Sequence, residues 1–209
     1  MRKAERVLKT VEILEKVYPQ AICSLEYKNA FELLIATRLS AQCTDKRVNL
    51  VTPDLFREFP TSKEMANADI KRVEELIKTC GLYKTKAKDL ILIAQKIEND
   101  FGGKVPDTLE ELLTLSGVGR KTANLVCGDI YKKPAVVTDT HFIRICNRLG
   151  FVNSQAPFTV EMQMRKLLPP EKSSDFCHRI VLFGREYCTA RSPKCNACPL
   201  NDICPKKNV

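Results

Sequence analysis

Between Leu115 and Asn124 the chain reads Leu-Ser-Gly-Val-Gly-Arg-Lys-Thr-Ala-Asn, with two glycines bracketing a valine and opening directly onto two cations. Gly117 and Gly119 permit positive φ and leave the loop almost without side chains, so its backbone N–H groups can approach a ligand. A helix N-terminus beside such a loop is a phosphate site, because uncapped N–H groups and the macrodipole both favour an anion. Arg120 and Lys121 stand where that dipole disfavours positive charge, a cost that implies a use. Upstream, Asp107-Thr108-Leu109-Glu110-Glu111 reads as the capped start of a short helix with acids in its first turn. The unit is therefore helix, Gly-rich hairpin, helix. A P-loop is excluded, since Arg120 separates Gly119 from Lys121 and no strand precedes the loop. The dinucleotide fingerprint is excluded too, since Thr122 stands where a third small residue belongs.

The rest of the chain is consistent with helices around that unit. Val7, Leu8, Val11, Leu14 and Val17 recur at helical spacing over 3–17, and further helices are expected over 29–43, 69–78 and 84–101. Thr44 or Asp45 can cap a helix that Pro53 interrupts or restarts. Helices are also predicted over 140–149, 158–168 and 175–187, with Gly102-Gly103, Gly150 and Pro169-Pro170 as stops. Only 135–138 reads as a strand, and one strand has no partner. The predicted fold class is all-α. A net charge of +9 favours a polyanionic partner, although a basic soluble protein needs none. No apolar run approaches a membrane span, and the N-terminus lacks a signal-peptide core, so a cytoplasmic protein with reduced thiols is expected.

Cys188, Cys195, Cys198 and Cys204 form C-x6-C-x2-C-x5-C, with Pro193, Pro199 and Pro205 forcing turns between them. Four thiols so close in an intracellular chain read as a metal site. Zinc usually draws on two separated C-x2-C knuckles, so a single C-x2-C flanked by lone cysteines suits a 4Fe–4S cluster better, with zinc the alternative. The other six cysteines read as small buried hydrophobes. Arg191 and Lys194 lie inside the first cysteine loop, either as a solvated face or as phosphate contacts.

The Leu115–Asn124 stretch, followed by Val137-Thr138-Asp139-Thr140-His141 and the four-cysteine spacing, resembles the endonuclease III family of DNA glycosylases over essentially the whole chain. The resemblance implies two helical lobes with a DNA-binding cleft between them. One lobe covers 22–132 and carries the helix–hairpin–helix; the other combines 1–21 with 133–209 and carries a 4Fe–4S cluster loop over 188–204. It implies a bifunctional glycosylase that removes oxidised pyrimidines from double-stranded DNA and cleaves abasic sites, acting as a monomer associated with the nucleoid. The family's catalytic lysine matches Lys121 and its aspartate Asp139. Its DNA-wedge loops match Ser40-Ala41-Gln42 and Cys80-Gly81-Leu82-Tyr83, implicating Gln42 and Leu82. Gly117, Val118, Gly119, Arg120, Thr122, His141, Arg191 and Lys194 are implied DNA contacts, and Asp45 also fits the pattern. Related adenine glycosylases lack the lysine at position 121. Ser116 stands where many relatives carry proline, which predicts a slightly looser turn.

Plainer readings accompany these. Lys121 is otherwise a surface lysine, Asp139 the N-cap of the next helix, Gln42 and Leu82 loop residues, and His141 a structural histidine. A non-catalytic DNA-binding scaffold and a glycosylase without lyase activity are the competing functions.

Overall fold

The computed structural model describes residues 1–207 and 209. Eleven α-helices are found among them: α1 Lys3–Val17, α2 Ala30–Ser40, α3 Asp45–Glu58, α4 Ser62–Ala66, α5 Ile70–Ile77, α6 Tyr83–Phe101, α7 Leu109–Leu112, α8 Arg120–Asp129, α9 Thr140–Arg148, α10 Pro157–Leu167 and α11 Ser173–Glu186. Single 3-10 turns add Pro170–Lys172 and Cys195–Ala197. Among the described residues there is no strand, and 135–138 is non-helical chain without a ladder partner. No described helix is long and apolar enough to cross a membrane. The chain is all-α.

It divides into two compact units, Ser24–Tyr131 and Met1–Cys23 with Lys132–Val209. The first is built around α2, whose Leu33, Leu34, Ile35, Ala36 and Leu39 are all fully buried. A helix apolar on every side has to be enclosed, and α3, α6 and α8 pack on it. Pro53 neither interrupts nor restarts α3, which runs through it. Losing one backbone hydrogen bond is tolerated because Val48, Thr52 and Leu55 are buried on the same helix, so packing outweighs the local penalty. Helix α4 has no counterpart among the predicted helices. Its Thr61-x-x-Glu64 capping box is a sequence signature for it, with Glu64 reaching back to the Thr61 N–H at 3.1 Å.

In the second unit α1 supplies Val7, Val11 and Leu14 to a core shared with α9, α10 and α11. Phe142 and Phe176 meet edge to face with centroids 6.1 Å apart, an arrangement worth about 1 kcal/mol beyond area burial. Helices α9 and α11 approach closely because Gly184 has no side chain: a Cβ there would lie 2.6 Å from His141 Nδ1 and 2.9 Å from Ile145 Cδ1. The first nine residues after Cys188 contain no α-helix, so the cysteine loop needs other anchors.

Candidate active site and cysteine cluster

Of the two cap candidates the sequence offers, Asp107 and Thr108, it is Thr108 that caps α7, accepting from the Glu111 N–H at 3.3 Å. After α7 the chain turns through Leu115–Gly119 into α8. The two glycines divide the work differently from the sequence expectation. Gly117 is left-handed at φ 66°, whereas Gly119 is extended at φ −98° and any residue could adopt its backbone. A Cβ on Gly117 would fall 2.3 Å from Arg38 Nε, but a Cβ on Gly119 would meet nothing within 4 Å. Nothing within the chain requires Gly119 to be glycine.

Gly117 is pinned from beneath. Arg38, on the largely buried α2, pairs with Asp89 of α6, and the Ser116 hydroxyl donates to the other oxygen of Asp89 at 2.8 Å. Ser116 therefore fastens the hairpin through its side chain, where a proline would stiffen it through φ. The expected loosening counts only backbone freedom. Replacing Gly117 by alanine is expected to cost about 1–3 kcal/mol in urea unfolding, because left-handed strain adds to the clash with Arg38. Gly119→Ala is expected to stay within about 1 kcal/mol of wild type. Equal losses would contradict the division of roles.

Lys121 is the second residue of α8 and is exposed; Arg120 and Thr122 beside it are half-buried. Val118 is buried and secures the turn, its N–H donating to Leu115 O at 3.2 Å. Gly119 brings no side-chain cap to α8. The helix's inner face, Ala123, Leu125 and Val126, is buried, so Lys121 stands on a fixed base.

Gln42 and Leu82 occupy neighbouring loops of the same unit, where a Cβ on Gly81 would lie 3.3 Å from Gln42 O. Both residues are left-handed, at φ 55° and 59°, and both are exposed. In Cys80-Gly81-Leu82 the left-handed residue is the leucine, not the glycine. Such strain in a large side chain costs about 1–3 kcal/mol and concentrates at functional sites. Asp45 accepts from the Ser24 hydroxyl, while Thr44 caps α3.

In the other unit Asp139 caps α9, its Oδ1 accepting from the Phe142 N–H at 2.7 Å. His141 follows, half-buried, with Nδ1 3.1 Å from the Arg144 guanidinium. Arg191 and Lys194 are both exposed on the cysteine loop.

Cys188, Cys195, Cys198 and Cys204 line one cavity, closed by Leu149 and Leu200. Leu200 is fully buried in the core, which ties the loop to its unit. Three sulfurs receive donors: Arg148 Nη1 reaches Cys188 Sγ at 3.4 Å, the Leu200 N–H reaches Cys198 at 3.4 Å, and the Lys206 N–H reaches Cys204 at 3.3 Å. Arg148, itself buried, also donates to Thr189 O at 2.7 Å and Ala190 O at 2.9 Å, and Arg144 donates to Cys188 O at 2.9 Å. Burial pushes the Cys198 and Cys204 thiols up, so ligation has to draw off their protons. Polarised donors and two guanidiniums around four sulfurs fit an anionic iron–sulfur group. Sequence reasoning misses Arg38, Asp89 and Arg148. A lone arginine on the buried α2 is the available signal for the first, since a buried charge needs a partner.

Comparison with known proteins agrees with this geometry. Residues 35–170 match the model of the HhH-GPD superfamily base excision DNA repair proteins, and residues 188–204 match the iron-sulfur binding domain of endonuclease III. Endonuclease III of Synechocystis sp. is 44% identical, covering 97% of this chain and 93% of its own. The Bacillus subtilis endonuclease III is 40% identical, over 94% and 92% respectively. A solved structure of a trapped endonuclease III–DNA covalent intermediate superposes with a TM-score of 0.92 at 38% identity, covering 99% of this chain and 97% of that one. The helix–hairpin–helix, the four-cysteine loop and full-length similarity thus converge: this chain belongs to the endonuclease III family of base excision DNA repair enzymes, DNA glycosylase/AP lyases carrying a 4Fe–4S cluster.

Proposed function

We propose that this enzyme is a bifunctional glycosylase acting on oxidised pyrimidines in duplex DNA, with Lys121 as nucleophile. The supporting observation is an exposed lysine in the first turn of a helix that has no side-chain cap, behind a hairpin with an open approach at Gly119. Backbone N–H groups of the hairpin hold a DNA phosphate, with Arg120 and Thr122 beside them and Val118 keeping the turn in place. Gly119 then serves the ligand, whose phosphate occupies the space a Cβ would take.

The Lys121 amine attacks the anomeric carbon of the extruded nucleotide, and the bond to the damaged base breaks. The C1′–O4′ bond then opens, O4′ taking a proton, to leave a protein–sugar Schiff base; this acidifies C2′, and loss of a C2′ proton with cleavage of the C3′–O bond expels the 3′ phosphate by β-elimination. Asp139 takes the proton that the attacking nitrogen sheds or balances positive charge developing on the sugar. One of its oxygens is committed to the cap of α9, leaving the other for this task. Gln42 and Leu82 fill the space the nucleotide leaves, an amide and an apolar wedge carried on strained, exposed backbone. His141 is a further DNA contact, oriented by Arg144. Cys188, Cys195, Cys198 and Cys204 are the cluster ligands. When bound, the cluster supplies four iron–thiolate cross-links to a loop with little regular structure, and it presents Arg191 and Lys194 to phosphate. The solved relative trapped as a covalent DNA intermediate is the kind of species this mechanism forms.

The test is a duplex carrying one oxidised pyrimidine. Base release together with an unsaturated 3′ sugar end is expected; base release without cleavage would favour the monofunctional reading, and neither would favour a scaffold. Arg191→Glu with Lys194→Glu is expected to weaken binding equally across sequences and flatten the salt dependence, by about one unit of slope for each phosphate no longer neutralised. An unchanged titration would remove these residues from the interface.

A further inference from the structure

Lys86, the fourth residue of α6, has no part in the mechanism above, yet it is fully buried. Its Nζ donates to Leu39 O at 2.7 Å, and among the described residues it pairs with no carboxylate. A buried ammonium without a counter-ion is costly. What faces it is the last turn of α2, where carbonyls lack intrahelical partners and the macrodipole is negative. Neighbouring carbonyls there are met locally: the Ser40 hydroxyl donates to Thr37 O at 2.8 Å, and the Cys43 N–H donates to Ser40 O at 3.0 Å. The second of these closes a type II turn over Ser40–Cys43. Ala41 stands at φ −58° and ψ 114°, and Gln42 is left-handed at the position that favours glycine. Leu39, held by Lys86, immediately precedes that turn. The same lysine also reaches the other wedge. Its backbone N–H donates to the carbonyl of left-handed Leu82 at 3.0 Å. One buried residue thus joins the supports of both exposed wedges, by its side chain to one and its main chain to the other.

We propose that Lys86 is a positioning residue for nucleotide extrusion, fixing the separation of Gln42 and Leu82. This role rests on the wedge assignment proposed above. Wedges offset the cost of unstacking only if they fill the gap as the base leaves, so two wedges on two loops need a set separation. Without the ammonium, Leu39 O is left buried and unpaired at the foot of the Gln42 turn, and the strain at Gln42 relaxes by moving the loop. The loss falls on extrusion and spares the chemistry of Lys121 at a nucleotide already outside the duplex.

The experiment measures single-turnover base release by the holoenzyme on two duplexes. One carries the oxidised pyrimidine opposite its normal partner, the other opposite an abasic analogue, where no pairing has to be broken. Lys86→Met has similar length without the charge or donors. It is expected to be about tenfold slower on the paired duplex, the scale of one buried charge-assisted hydrogen bond, and within about twofold of wild type on the unpaired one. Lys86→Arg, which keeps a charge and donors, is expected to restore most of the difference. A poorly folded preparation slows both duplexes by the same factor, so the ratio of the two rates reports positioning whatever the folded fraction. The same ratio in wild type and Lys86→Met would overturn the proposal, as would a Lys86→Arg ratio no closer to wild type than that of Lys86→Met. Failure of the functional reading shows separately, as absence of base release from either duplex by wild type.

Discussion

Replacing Asp139 by asparagine is expected to leave the fold intact and remove most of the base-release activity. Asparagine caps a helix as well as aspartate does, so the acceptor for the Phe142 N–H is kept and unfolding in urea should be near wild type. What is lost is a carboxylate able to hold a proton or balance positive charge, and such groups contribute about 10²–10⁴-fold in rate. Asp139→Ala separates the two roles, because it loses the same activity and in addition about 1 kcal/mol of helix capping. Single-turnover base release and urea midpoints for both variants decide the matter. An active Asp139→Asn enzyme would reduce Asp139 to a cap.

The second large effect concerns the cysteine loop. In the proposed ligand set, Cys198→Ala removes one corner of the cluster, and with it the acceptor of the Leu200 N–H. The segment has one 3-10 turn, Cys195–Ala197, and depends on Leu200 packing, Arg148 and the metal for its conformation. Loss of the visible iron–sulfur absorbance is expected. The accompanying loss of stability should resemble that of a lost structural cross-link, about 2–5 kcal/mol, with DNA affinity falling because Arg191 and Lys194 are no longer held. Chelation of iron from the wild type should reproduce both effects. A colourless variant with unchanged unfolding and binding would make the cluster dispensable to structure.

What is legible in the sequence, and what is not, follows the range of the interactions. Caps are local, so Thr108 and Asp139 are recognisable from the residues that follow them. The all-α fold follows from periodicity, and the four-cysteine loop from spacing. Pro53 misleads because its local penalty is outweighed by packing of Val48 and Leu55 against residues distant in the chain. Gly119 looks like a conformational necessity, whereas its backbone is ordinary and its value lies in open space. Leu82 hides its strain behind Gly81, and the Arg38–Asp89–Ser116 anchor joins three segments that no local pattern connects. Charge pattern alone leaves Lys121 a surface lysine; its assignment depends on family resemblance and on the hairpin geometry around it.

The most direct test of the central claim is borohydride trapping on a duplex with one oxidised pyrimidine, comparing wild type with Lys121→Gln. Reduction fixes a Schiff base as a stable protein–DNA adduct, so a covalent band with wild type and none with the variant is the predicted result. A band of equal strength from both proteins would place the nucleophile on another residue and contradict the account.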